Sequence, residues 1–369
     1  MPDIFHVITD KGVGGAGVFL TGLLDAADTR TGSLVLLPTG SLLCSRLSAR
    51  GIPYVCFPQK EERSLSLKAL RFLRAFLQQR KPTLLVSHAA LSARIAARSL
   101  GIPTLSVRHC DTAVSALSLP LYNALTDATV ATSQPLAVRL RNAGVRNVFM
   151  IENGYTRIDV PTDADKAQAQ TMLGLPQDKI ILGIVGRLSP IKGQEIALRA
   201  LAHLGKAKDQ FLLCLLGCGE SEPKLRALSA KLFLSKQVRF MGHMANTRPF
   251  YHAIDVHLSC SLGSETSSLA LAEGMSAARP TVASDTPGNR ARVGGGGLFF
   301  PVGDSAALAA LLLRLEDPKE RYRLSCMAKS RAETLPTWEK TRKDYRALFD
   351  AFCGELVANG CFFRKDMLS

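Results

Sequence analysis

The residues best placed to do chemistry lie in SETSSLALAEGMSAARPTVASD, residues 264–285. Two carboxylates, Glu265 and Glu273, stand eight positions apart across a Ser-rich stretch, with a Pro-Thr-Val strand behind it. If Thr266, Ser267 and Ser268 open a helix, its first backbone N–H groups, those of Ser268 and Leu269 among them, lack intrahelical partners. With the positive end of the helix dipole they receive an anion and need no metal. Eight residues of helix advance about 12 Å. Glu273 then reaches a ribose while Glu265 stays near the far end of a nucleoside diphosphate sugar. The competing reading is a surface helix with two incidental acids, since short motifs match by chance.

A second cluster, IILGIVGRLSPIKGQEIALRAL at residues 180–201, reads as a buried apolar strand, a stop at Gly186, a loop carrying Arg187 and Lys192, and a helix. Cations that follow the carboxyl end of a strand sit at the edge where open α/β sheets bind ligands. A leaving diphosphate gains charge as its bond to the sugar breaks. A fixed guanidinium and ammonium therefore stabilise the transition state more than the ground state, which is catalysis without a general acid. Either residue alone reads as a solvated loop cation; the pair, tied to Gly186 and Gly193, favours the ligand reading. Asp163 and Asp165 form an Asp-x-Asp of the kind that holds a divalent ion, but they fall in a polar stretch away from any strand end. They read as solvated, and no metal site is expected.

Further segments accompany these two: ITDKGVGGAG near the start, VSHAALSARIAARSLGIP and SVRHC in the first half, MIENGY at the middle, then LLGCGESEPKLRAL and VRFMGHM. In this order and spacing, together with GRLSPIKG and the Glu-x7-Glu segment, they resemble the retaining family 4 glycosyltransferases (glycosyl transferases group 1) of the bacterial envelope and polysaccharide type, over nearly the whole chain. The resemblance implies the GT-B fold, two doubly wound Rossmann-like α/β domains facing across a cleft. It implies hexosyl transfer from a nucleotide-diphosphate sugar, which is the substrate, with no cofactor and no metal. The glycine-rich turn at Gly14 and Gly15 would let the backbone approach the sugar and its acceptor. It is not the dinucleotide fingerprint, because no acidic residue ends the second strand, LVLLP. At Gly17 and Val18 relatives often carry a charged or polar residue, which leaves no side-chain contact to expect from position 18. His109 matches the family histidine beside the transferred sugar, with Asp111 or Arg108 to orient it, and His88 is a second candidate. His6, His203, His243, His252 and His257 read as packing or surface residues.

The assignment that follows puts Glu273 on the ribose hydroxyls, and Arg187 and Lys192 with the Ser268 and Leu269 N–H groups on the diphosphate. Glu265 takes the sugar hydroxyls, while Gly14, Gly15 and His109 wall the sugar. The departing phosphate oxygen deprotonates the acceptor on the same face, so no protein base is required. Two other classes stay open: a non-hydrolysing nucleotide-sugar epimerase of related fold, and a nucleotide-sugar-binding protein without catalysis.

These groups need two sheets to position them. Apolar runs at 4–8, 33–37, 53–57, 83–87, 103–107, 128–131 and 147–151, and again at 180–185, 211–216, 238–241, 256–259, 280–283 and 298–300, alternate with helical patterns, the signature of parallel doubly wound sheets. The expected domains are an acceptor-side domain over 1–155, a linker over 156–178, a nucleotide-sugar domain over 179–336, and a C-terminal helix over 337–369 that the resemblance returns to the first domain. A chain of 369 residues suits two ordinary domains. Nine scattered cysteines argue against a disulfide framework or a zinc knuckle. The longest apolar runs, such as Ala306 to Leu313, fall short of the about 20 residues a spanning helix needs. The start, MPDIFHVITD, lacks the parts of a signal peptide, so a cytoplasmic protein is expected.

A net charge of +15 calls for an acidic partner. Aromatic content of 6% and the lack of any RNA or DNA module exclude nucleic acid. In SLSLKALRFLRAFLQQRK, residues 64–81, Leu70, Leu73 and Leu77 make one stripe with Lys68, Arg71, Arg74, Arg80 and Lys81 around it. Such a helix either rests on an anionic membrane, here the inner face of the cytoplasmic membrane, or packs on a sheet with a solvated basic face; the second use is commoner. The resemblance and the basic balance point to a lipid-linked or glycan acceptor.

Overall fold

The computed structural model describes residues 3–12, 14–59, 64–263 and 265–359; residues 360–369 of the expected C-terminal helix lie outside them. The chain divides into two compact units, Met1–Gly154 with Pro336–Ser369, and Tyr155–Leu335.

In the first unit the strands are β1 (Ile4–Ile8), β2 (Ser33–Pro38), β3 (Tyr54–Phe57), β4 (Leu84–His88), β5 (Thr104–Arg108), β6 (Ala128–Ala131) and β7 (Val148–Met150). They pair in parallel in the order β3-β2-β1-β4-β5-β6-β7. Every residue of β1 and β4 is buried, as expected where helices cover both faces of a parallel sheet. The helix Leu67–Arg80 supplies one cover: Ala69, Leu73 and Leu77 are buried, while Lys68, Arg71, Arg74 and Arg80 face solvent. The stripe is thus spent on packing and the basic face is left outward.

The helix Trp338–Asn359 supplies another. Its Tyr345, Leu348, Phe349 and Phe352 join a core with Phe19, Leu20 and Leu23. Arg342 donates to the Gly22 carbonyl at 3.0 and 2.8 Å, and Thr341 to that of Glu152 at 2.9 Å. Gly22 permits this approach, since a Cβ there would lie 2.3 Å from the Trp338 ring.

The second unit repeats the plan with β8 (Ile180–Val185), β9 (Phe211–Leu216), β10 (Val238–Gly242), β11 (Val256–Ser259), β12 (Thr281–Ser284) and β13 (Leu298–Phe300), in the order β10-β9-β8-β11-β12-β13. The thirteen strands among the described residues lie within one residue of the apolar runs that announce them. The polar stretch after β7 holds the helix Asp163–Met172, which belongs to the second unit. Its Asp-x-Asp serves the helix start: Asp165 accepts from the Thr162 amide at 2.9 Å and hydroxyl at 2.7 Å, a reciprocal capping box.

Each sheet reverses its order of winding once, between β1 and β4 and between β8 and β11. Loops leaving the carboxyl ends of those strands turn to opposite faces and open a crevice. Among the described residues no helix is long and apolar enough to cross a membrane.

Candidate functional site

In the second unit the chain leaves β8 through Gly186 and makes a short turn, Pro190–Lys192, that ends at Gly193 with φ 62°. Only glycine fits there on two counts: the conformation is left-handed, and a Cβ would stand 2.1 Å from the Cys260 carbonyl oxygen. This close approach, with the Leu262 amide donating to the Ile191 carbonyl at 2.8 Å, ties the Lys192 loop to the chain leaving β11.

The two loops converge on one ion pair. Lys192 Nζ lies 2.6 Å from Glu265 Oε1, with the side chains 30% and 14% exposed. Ser261 Oγ donates to the other carboxylate oxygen, and the Ser268 side chain also bonds to Glu265. Burial by itself would raise the Glu265 carboxyl. The Lys192 charge and the hydrogen bonds from Lys192, Ser261 and Ser268 outweigh it and hold the group below its ordinary value. A small recess beside the pair is lined by Lys192, Gln194, His257, Ser261, Glu265 and Ser268. His257, on β11, is buried, and desolvation lowers it to about 4, so it stands there as a neutral ring.

The helix expected from Thr266 begins at Leu269, with Ser268 as its cap. Ser268 Oγ accepts from the Leu271 amide at 3.3 Å. The amides of Ser268, Leu269 and Ala270 then have no intrahelical acceptor, and Ser268 and Ala270 line the recess. Glu265 precedes the helix, so no 12 Å of helical rise separates it from Glu273. Helical rise counts only from Leu269, about 6 Å to Glu273. Two anchors set this start: buried Arg292 donates through Nε to the Ser268 carbonyl at 3.2 Å, and Gly288 lies so near that a Cβ would be 1.9 Å from the Glu265 carbonyl oxygen.

The structure therefore gathers Lys192, Glu265 and Ser268, with Leu269 opening the helix. Gly186 lies alongside, the Lys192 Cε being 3.8 Å from where its Cβ would stand. Arg187 and Glu273 are half-buried and do not line the recess. Arg187 lends its carbonyl to Gln194 Nε2 at 2.8 Å. Glu273 receives a hydrogen bond with Tyr251, whose hydroxyl also lies 3.1 Å from the Ala270 carbonyl. Ser261, Tyr251 and Arg292 are not singled out by the sequence. Ser261 alone carried a usable signal, a hydroxyl two residues past a strand end.

In the first unit Gly14 caps the helix Gly15–Leu23, and a Cβ on Gly15 would meet nothing within 4 Å. His109 follows β5, but the partner identified for its ring differs from those expected: His88 Nδ1 is 2.9 Å from His109 Nε2, and His6 Nδ1 is 3.4 Å from His88 Nε2. Asp111 pairs with Arg139 at 3.0 Å and Arg108 donates to the Thr112 hydroxyl at 2.8 Å. Desolvation lowers His6 to about 3 and His109 to about 4, and burial together with the neighbouring His109 and His6 rings holds His88 well below its ordinary value.

Comparison with known proteins adds the following. A family model described as Glycosyltransferase Family 4 matches residues 13–157, and one described as Glycosyl transferases group 1 matches residues 179–317. D-inositol 3-phosphate glycosyltransferase of Thermomonospora curvata is 33% identical over 188 residues, 47% of this chain and 43% of that protein. The lipopolysaccharide core biosynthesis glycosyltransferase LpsE of Rhizobium meliloti is 28% identical, over 54% of this chain and 57% of its own. The chain spans about half the length of such curated relatives. Among solved structures, HepE of Anabaena in complex with UDP and glucose superposes with a TM-score of 0.83 at 21% identity, covering 95% of this chain and all of its own. WaaG, described as involved in lipopolysaccharide biosynthesis, gives 0.71 at 13%, covering 95% of this chain and 100% of that one.

Proposed function

Because the chain belongs to the group 1, family 4 glycosyltransferases of GT-B fold, we propose that it is a retaining enzyme that moves a hexosyl group from a nucleotide-diphosphate sugar to a lipid-linked or glycan acceptor. The observation that carries this reading is the Lys192–Glu265 pair, set 2.6 Å apart at the winding reversal of the second sheet and beside the Ser268-capped helix start.

The bond between the anomeric carbon and the diphosphate oxygen breaks, and the acceptor oxygen bonds that carbon on the face just vacated. The departing phosphate oxygen takes the acceptor proton. Charge that builds on the diphosphate is met by Lys192, by Arg187 and by the Ser268 and Leu269 amides. In this reading Glu265 both holds Lys192 in place and accepts from sugar hydroxyls, Glu273 accepts from the ribose, and Gly14, Gly15 and His109 serve the sugar from the first unit. The residues before position 156 form the acceptor side and those from 179 to 336 the nucleotide-sugar side. The enzyme works in the cytoplasm, and the outward basic face of Leu67–Arg80 suits contact with an anionic membrane surface.

The test is a panel of UDP-, GDP- and ADP-sugars, beginning with UDP-glucose because the related HepE holds it. A donor that binds the native state raises the melting temperature. Nucleotide release that depends on an added acceptor supports transfer; isomerised donor without acceptor supports an epimerase, and binding without turnover a binding protein. In the active system Lys192→Ala lowers kcat by about 10³-fold with the fold retained by circular dichroism, the scale of losing one preorganised charge-stabilising group. Near wild-type transfer by that variant refutes the assignment.

A further inference from the structure

Three imidazoles form a row through the winding reversal of the first sheet. His6 stands on β1, His88 ends β4 beside it, and His109 follows β5. Their rings lie edge to edge and nearly parallel, at 21° between His6 and His88 and 18° between His88 and His109, with centroids 5.7 and 5.2 Å apart. His6 and His88 are buried, His109 is partly exposed, and Phe19 covers the outer ring at 4.9 Å while Phe349 meets the inner one edge-on at 6.0 Å. The inner end is closed: His6 Nε2 is buried with no hydrogen-bond partner. Depositing a charge in such a row is opposed by burial at every ring and, at His88, by its two neighbours as well, so all three are neutral at pH 7.

Neutrality has a consequence for the protons. Each ring then carries one N–H. If His88 donates through Nδ1 to His109, its Nε2 must accept from His6, and the proton of every ring is on Nδ1. If His109 donates through Nε2 to His88, then His88 donates through Nε2 to His6, and every proton is on Nε2. Mixed rows leave two lone pairs or two N–H groups facing each other.

We propose that His88 is a positioning residue for His109, holding its ring through the Nδ1–Nε2 hydrogen bond so that His6, His88 and His109 share one tautomer. The bond fixes the plane of the outer imidazole and decides whether its Nδ1 carries the proton, and so which way a hydrogen bond between that ring and a sugar hydroxyl runs. The functional half of this statement rests on the proposed role of His109 beside the sugar; the row itself does not.

The test uses the full chain labelled with ¹⁵N in the histidine rings, at pH 7, with signals assigned by their loss in His6→Phe, His88→Phe and His109→Phe variants. The three rings of the wild type are expected to give the same tautomer, and His88→Phe is expected to move the His109 signal off its wild-type tautomer. Different tautomers among the wild-type rings, or an unchanged His109 signal in His88→Phe, overturn the row. In a turnover assay with the donor that the panel selects, His88→Phe lowers kcat on the order of tenfold to a hundredfold with little change in KM, the scale of a misplaced reacting group. His88→Gln, which can still donate and accept, restores part of it. A tautomer change with turnover untouched overturns the sugar-side assignment of His109 and leaves the row standing.

Discussion

At Glu265 two effects oppose each other on one carboxylate, and the winner can be read from the dependence of stability on pH. Burial favours the neutral acid; Lys192 and three hydrogen bonds favour the anion and prevail. A carboxyl whose folded pKa lies below its unfolded one adds stability above the unfolded value, lost as pH falls through the folded value. Removing Lys192 leaves only burial and the serines, so the folded pKa in Lys192→Ala rises and that increment disappears. The variant is expected to be about 2 kcal/mol less stable than the wild type at pH 7, below the cost of splitting a fully buried pair because Lys192 is 30% exposed. The gap should narrow as pH falls towards 4. Urea denaturation of both proteins, followed by fluorescence from pH 4 to 7, measures it; a gap constant with pH refutes the coupling. The sequence shows Lys192 and Glu265 as suitable types on two loops. That the loops meet, 73 residues apart, depends on which strands pair, and residue types alone do not carry that. The same gap explains why His6 reads as a packing residue until β1 and β4 are seen side by side.

One scale up, the element that matters most to the site is the helix Leu269–Ser276, and its start is the least legible boundary. Thr266, Ser267 and Ser268 are all good caps, and local propensity does not choose among them. Tertiary contacts choose: Arg292 holds the Ser268 carbonyl, and Gly288 presses on the carbonyl of Glu265. Ser268→Ala removes the acceptor for the Leu271 amide and a hydrogen bond to Glu265, and is expected to cost about 1 kcal/mol by urea denaturation. Ser267→Ala at the neighbouring position, outside the cap, serves as the comparison and should cost less. Gly288→Ala is expected to be worse than either, because its Cβ meets backbone, which cannot swing away as a side chain can. The helix Asp163–Met172 shows the same limit in reverse. Its capping box reads Thr-Asp-Ala-Asp, with Asp where the signature has Glu or Gln, and the surrounding polar residues mask it.

At the scale of the molecule, two sheets with one winding plan put their candidate site residues at the same place, the reversal between the first and fourth strand of each. The apolar runs locate all the strands because a parallel sheet covered on both faces needs continuous hydrophobic segments. They are silent on the order in which those segments pair, which right-handed crossovers and the closing helices decide. The helix Trp338–Asn359 is one of those closures, and it joins the first unit from the far end of the chain. Its Phe349 is 2% exposed and meets the His6 ring edge-on. Phe349→Ala is expected to cost the first unit about 3–5 kcal/mol, the usual loss for emptying an aromatic site in a packed core. A chain of two units need not unfold in one step, so a single melting temperature is a poor gauge of that loss. Amide hydrogen exchange resolved by segment is a better one. Protection in β1, β2 and β4 should fall by two orders of magnitude or more, each about 1.4 kcal/mol being a factor of ten. Unchanged exchange in those strands would show that the C-terminal helix rests on the first unit without holding its core.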